Sequence, residues 1–191
     1  ATAAEGTAML EIIHDMAPGA TLGFATGSSG SAQMATNIIN LRQAGCDVIV
    51  DDITYYNEGA FQDGPISQAV NQVTADGALF FSSAANSGHL TRGESGTFEG
   101  DFQASTEAIP AVIQSQSGYN QAVVELHAFA NGKNYTTLTR ATSNITLKWS
   151  DPLLGSGNDY DLIVTNVAGT AMLGYGADTQ SGAQDPYERA T

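Results

Sequence analysis

The sequence predicts an α/β unit built on a parallel sheet over residues 1–92, a linker at 93–101, and an antiparallel β-sandwich over 102–191. Three observations carry this. In the first half, stretches whose apolar residues recur every three or four positions alternate with short apolar runs, the pattern of amphipathic helices between buried strands. The order helix, strand, helix, strand, helix, strand implies right-handed crossovers and hence parallel strands. From about residue 102 the repeat changes to two, in short segments parted by turn residues, which is the pattern of a sandwich.

The first helix spans Glu5 to Met16, with Met9, Ile12, Ile13 and Met16 on one face; Pro18, which has no amide to donate and clashes with the preceding turn, ends it. Glu5 then sits at the N-terminal edge, where the helix macrodipole favours a charged carboxylate. "ATLGFAT", Ala20 to Thr26, has the apolar content of a short buried strand. A second helix carries Met34, Ile38 and Leu41 on one face and ends at Gly45. "DVIV", Asp47 to Val50, is a near-continuous apolar run of the kind found in parallel strands covered on both faces. A third helix opens on Pro65, carries Ile66, Ala69, Val70 and Val73, and stops before Gly77; "ALFFSSAANSG" then begins as a strand and runs into a turn. "GESGTFEGD", residues 93–101, is rich in Gly and acids without periodicity, so it reads as a linker. The later strand candidates are "QAVVELHAF", "NITLKWS", "DYDLIVTN" and "TAMLGY", with turns at Asn131-Gly132 and Ala168-Gly169. In the first of these, Val123, Glu125 and His127 would face one way.

Chemistry is bounded by composition. The 191 residues suffice for one domain or two small ones. Twenty acidic against six basic residues give a net charge of -14, which argues against nucleic acid or an anionic membrane surface as partner and suits work at low pH. Cys46 alone offers no disulfide framework and leaves export open. No apolar run approaches a membrane span and no basic-then-apolar leader opens the chain, so no membrane insertion is expected.

On residue types alone, Glu5 reads first as a helix-start acid. Asn86 follows an apolar strand at its carboxyl end, where ligands bind in open parallel sheets; its amide can donate to a developing oxyanion, although an Asn in a turn is more often a turn former. Asp51 and Asp52 also end a strand and could bind a metal or shape a cleft, though solvated loop acids are commoner. Glu11 and His14 have the spacing of a metal-binding helix but no second pair, and His89 and His127 have no partner within sequence reach. Asn158, Asp159 and Asp161 could bind calcium weakly, but their spacing departs from an EF-hand loop and a hydrogen-bonded turn is the stronger reading; no cofactor is otherwise expected.

Taken in order, "EGT" at Glu5, "APGATLGFAT" at Ala17, "CDVIVDDITYY" at Cys46 and "LFFSSAANSG" at Leu79 resemble the subtilisin-like and sedolisin-like serine peptidases, over roughly residues 5–90. Subtilisins open a helix on a catalytic His in His-Gly-Thr, followed by an Ala-Pro-x-Ala turn; the sedolisin branch places Glu there, so the resemblance gives Glu5 the position of the base. Met9 stands where sedolisins carry a further acid. Asn86 matches the oxyanion Asn, with Ala85 in place of the usual Gly, and Asp52, Ile53 and Thr54 would line the substrate cleft. The implied chemistry is acyl transfer: a Ser hydroxyl attacks a peptide carbonyl, an acid-base partner takes its proton, and Asn86 with backbone amides holds the oxyanion. Glu5 and Asn86 should then face one cleft, their polar tips on the order of 6 to 10 Å apart.

The strand that bears the subtilisin Asp and the Gly-Thr-Ser-x-Ala-x-Pro motif of the nucleophile do not occur between Ala1 and Thr191. The chain therefore resembles the middle of a catalytic domain, expected to be inactive alone, with the rest of the peptidase domain outside it as partner. Its second half is similar to the jelly-roll domains that accompany bacterial subtilases and proprotein convertases, here as an insert. The resemblance implies a secreted or cell-envelope bacterial endopeptidase acting on a polypeptide substrate. The alternative is a non-catalytic, peptidase-derived binding module acting through its β-sandwich.

Overall fold

Pro18 stops the first helix where its missing amide requires: α1 runs from Ala4 to Met16 in the computed structural model, which describes residues 4–116, 119, 124–140 and 142–190. The chain divides after Asn86 into two units, Ala1–Asn86 and Ser87–Thr191.

In the first unit, α1 closes on a turn in which Ala17 N donates to Ile13 O (2.8 Å) and Ala20 N to Ala17 O (2.9 Å). The strand expected at Ala20 to Thr26 does not form: among the described residues this stretch joins no ladder. Side-chain contacts and one amide hold it instead. A Cβ on Gly23 would lie 3.1 Å from Cys46 Sγ, one on Gly27 would lie 3.2 Å from Ile53 Cδ1, and Asn37 Nδ2 donates to Thr26 O (2.8 Å). Cys46 precedes and Ile53 follows β1 (Val48–Asp51), so the segment runs in the same direction as that strand without bonding to it.

Helices α2 (Ser31–Gln43) and α3 (Pro65–Ala75) end in the same way. Gly45 and Gly77 take φ of 97° and 91°, the left-handed conformation that glycine adopts without Cβ strain. Gly45 N donates to Arg42 O and Cys46 N to Leu41 O, both 3.0 Å; Gly77 N donates to Thr74 O and Ala78 N to Val73 O, again both 3.0 Å. These paired bonds satisfy the last helical carbonyls and turn the chain at once into a strand. The strands β1 and β2 (Leu79–Ser82) pair in parallel, Val48 opposite Leu79 through Asp51 opposite Ser82, as the order of elements predicts.

One face of this pair is core. Ile49 packs with Met34, Ala35 and Ile38 of α2, Ala69 and Val73 of α3, and Ala78, and Phe80 lies against the same cluster. The opposite face, with Val48 opposite Leu79 and Val50 opposite Phe81, is 44–57 % exposed. Polar clamps hold the ends of the elements. Arg42 Nε donates to Asp76 Oδ2, Nη1 to Asp47 Oδ1 and Nη2 to Asp76 O, each at 2.7 Å, and these bonds raise the guanidinium pKa. Glu58 Oε1 accepts from Ile66 N (3.1 Å) and Ser67 N (3.2 Å), placing a carboxylate on the positive end of α3.

In the second unit, α4 (Ala111–Gln114) is a single turn. Strands β3 (Ile145–Lys148) and β6 (Tyr187–Ala190) pair antiparallel, as do β4 (Leu162–Thr165) and β5 (Met172–Gly176), the latter with a register shift between Val164 and Thr165. The β4–β5 turn is the expected one: Gly169 takes φ 64°, and Asn166 Oδ1 accepts from Thr170 N (2.8 Å) and Ala171 N (3.2 Å). The stretch expected as a strand at 121–129 is reduced to one antiparallel bridge, His127 opposite Ala104, and Val123 lies outside the described residues. These ladders are antiparallel, as the alternation predicts, but two pairs and a bridge do not by themselves make a sandwich. Strand β6 carries no apolar alternation in "YERA", and its sequence gives no strand signal.

The expected linker belongs to the second unit. Its Phe98 ring packs, tilted, against His127 (5.7 Å) and Phe129 (5.1 Å), and Glu94 pairs with Arg140 at 3.6 Å. These ring contacts and the ion pair fix a segment that Gly and acids alone would leave free, although Phe98 itself stays half exposed.

Candidate functional site at the strand ends of the first unit

Parallel strands bring their carboxyl ends together, and here β1 delivers Asp51–Asp52 beside Ser82 of β2. Successive residues of a strand point to opposite faces, so the two acids separate. Asp51 is half-buried, and its Oδ1 accepts from Ser82 Oγ (2.9 Å) and Ile53 N (3.3 Å); Asp52 is exposed. Among the described residues no group of three His, Cys, Asp or Glu side chains is placed to hold a metal ion. Ile53 turns its side chain into the core, where it meets Gly27, leaving its backbone, with that of Thr54, to border the strand ends. The Tyr55 hydroxyl donates to Gly27 O and so ties the 20–27 segment to the end of β1. Burial and then the nearby Asp51 charge push the Tyr55 hydroxyl pKa up, which keeps it a donor.

Four residues past β2 lies Asn86, exposed, and directly before it Ala85 takes φ 57°. A non-glycine residue in the left-handed region costs roughly 1–2 kcal/mol, and such strain clusters where function fixes the backbone. The conformation at Ala85 is the one that Gly would take freely.

Glu5 lies in the first turn of α1, exposed. Its neighbour Gly6 lies directly against the Phe24 ring, a contact for which a Cβ would leave no room. Phe24 lies between Gly23, which meets Cys46 before β1, and Gly27, which meets Ile53 after it, so the start of α1 packs on the segment that runs alongside β1. Residue 23 meets α2 through Leu41, and Phe24 meets the start of α1. Among the described residues no hydrogen bond links Glu5 with Asn86 or with Asp52, Ile53 and Thr54.

The remaining candidates make local contacts, and His127 keeps its buried Nε2 without a hydrogen-bond partner among the described residues. His14 is exposed, 3.9 Å from Asp15, and His89 Nδ1 bonds Thr91 Oγ1 (2.9 Å). His127 Nδ1 accepts from Gln103 N (3.3 Å) inside a group of rings that includes Phe98, Phe102 and Phe129. Asn158 and Asp159 work as a hydrogen-bonded turn: Asp151 Oδ2 accepts from Asn158 N (2.8 Å), Gly157 N (3.0 Å) and the buried Ser156 hydroxyl (3.0 Å), while Asp159 Oδ1 accepts from Gln180 N (3.0 Å). These donors, the Asn158 amide first, hold the Asp151 carboxyl below its ordinary range. The sequence does not mark Tyr55 as a site residue, whereas in-phase pairing of "VIVD" with "LFFS" points to Ser82 by setting it opposite Asp51.

Compared with family models, with curated proteins and with solved structures, the chain matches none.

Proposed function

We propose that this chain is the central part of a subtilisin-like serine endopeptidase, secreted or held at a bacterial cell envelope, that hydrolyses polypeptides by acyl transfer. The observation that carries the reading is Ala85, left-handed at φ 57° where the motif has Gly and one residue before Asn86 at a parallel strand's end. In this reading Asn86 donates to the oxyanion, Glu5 is the acid-base partner, the backbone of Asp52 to Thr54 borders the cleft, and the nucleophilic Ser comes from the rest of the catalytic domain. The uncovered face of β1 and β2 supports it, because parallel strands are normally buried on both faces and further helices of such a domain would cover Val48, Val50, Leu79 and Phe81. The β-rich unit is then a jelly-roll-like insert.

The test uses the protein encoded by the full reading frame. A fluorophosphonate probe should label it and casein should be cleaved; Asn86→Ala should lower kcat about 10²–10³-fold, the usual loss for one oxyanion donor. The chain alone should hydrolyse nothing. Absence of both labelling and cleavage overturns the peptidase reading and favours a binding module, for which the exposed rings Phe98 and Phe102 of the second unit (51 % and 43 %) are the best contact surface.

A further inference from the structure

Glu188, the second residue of β6, is 2 % exposed, and no cation pairs with it among the described residues. Its Oε1 accepts from Asp178 N (2.9 Å) and Gln180 Nε2 (2.7 Å). Its Oε2 is walled by the end of β5, where a methyl group added to Gly176 would come within 2.6 Å. Gln180 is itself 5 % exposed; its backbone amide donates to Asp159 Oδ1, its side chain also donates to Asp178 O, and its Oε1 has no partner. Thus the stretch before β4, the stretch after β5, and β6 close on one carboxyl group. The titratable groups acting on it from these elements are carboxylates, Asp178 and Asp161, with Asp159 reaching it through Gln180. Tyr187 and Arg189 flank it on the strand and project from the opposite face, Arg189 donating to Asn144 Oδ1 (2.7 Å). On β3, Leu147 stands opposite it and Lys148 opposite Tyr187.

We infer that Glu188 is a pH latch for the β-rich unit: with its proton on, β5 and β6 close around Gln180, and loss of the proton leaves an unpaired charge beside Asp178 and Asp161 that loosens the closure. Burial is the first cause that raises this carboxyl above its ordinary value of 4.5; the bonds from Gln180 and the Asp178 amide oppose the rise, and the Asp178 and Asp161 charges add to it. Burial and Asp159 raise Asp161 in the same sense. A folded value above the unfolded one means the folded unit binds more protons in between, so this stabilisation is complete below about pH 4.5 and is lost as pH rises through the raised value. Asp151 has the opposite sign and a lower window, its contribution failing only as pH falls below the ordinary 3.8. The latch does not depend on the peptidase reading.

Trp149, the sole tryptophan, lies in this unit and packs edge-on against Tyr160 at 5.2 Å, so its fluorescence reports the unit in the full chain. Urea midpoints are to be measured from pH 4.5 to 7.5 in EDTA. The wild-type midpoint should fall as pH rises, the folding constant changing up to about tenfold per pH unit for one proton. Glu188→Gln should flatten that slope and raise the midpoint at pH 7, whereas Glu99→Gln, the same charge change at an exposed site, should keep it. A wild-type slope in Glu188→Gln, or a flat wild-type profile, overturns the latch. Should Glu188→Gln not fold, carbon-13 carboxyl resonances of the eight glutamates in the wild-type chain decide: one should titrate above the rest, and eight ordinary titrations overturn the latch.

Discussion

Ala85 pays for a backbone that glycine would take freely. Replacing alanine by glycine ordinarily costs about 0.5–1 kcal/mol through the entropy of the unfolded chain, yet at φ 57° relief of Cβ strain offsets that loss. Ala85→Gly should therefore leave the urea midpoint unchanged or raise it, by at most about 1 kcal/mol, and Ala85→Val should lower it; a fall in Ala85→Gly equal to the ordinary entropy cost would remove the strain argument for this site. Sequence could point to position 85 through its place in a motif, but it could not supply the φ. The Asp51–Ser82 bond is similar: both residues are visible at strand ends, and only their pairing makes one acid an acceptor and leaves the other in solvent.

At the scale of the element, the legible pieces are those whose ends are written locally. Helices α2 and α3 and the strands after them follow from apolar spacing plus Gly45 and Gly77, whose left-handed turns are used by both helix ends. Gly45→Ala and Gly77→Ala should each cost about 1–2 kcal/mol in urea unfolding, because alanine must be forced into φ near 90°. A loss below a few tenths at either site would show that the helix end can relax. The stretch 20–26 has the apolar content of a buried strand, yet it joins no ladder and leaves Leu22 and Phe24 37 % and 63 % exposed; Cys46 and Leu41 side chains meet it at Gly23, and Ile53 and Met34 meet the chain just after it at Gly27. Strand β6 gives no signal because its inward residues are Glu188 and Ala190, an acid and a small side chain where the pattern looks for large apolar ones.

Across the whole molecule, the open face of β1 and β2 is the feature with the largest consequence in solution. Four apolar side chains in register on one face should bind an apolar-surface dye, and Val50→Lys with Phe81→Lys should cut that binding while the urea midpoint of the first unit stays within about 0.5 kcal/mol, the usual range for surface changes. Undiminished dye binding would place the exposed patch elsewhere. By itself the sequence determined the acidic charge, the helices α1 to α3, the parallel sense of β1 and β2, the antiparallel alternation beyond them and the residues worth testing, because charge, period and caps are local properties. Tertiary structure alone decided that Phe98 anchors the expected linker, that Asp51 bonds Ser82, that Ala85 is left-handed and that Glu188 is enclosed. Each of those depends on which distant segment arrives beside the residue, and burial and hydrogen-bond partners are fixed only when it does.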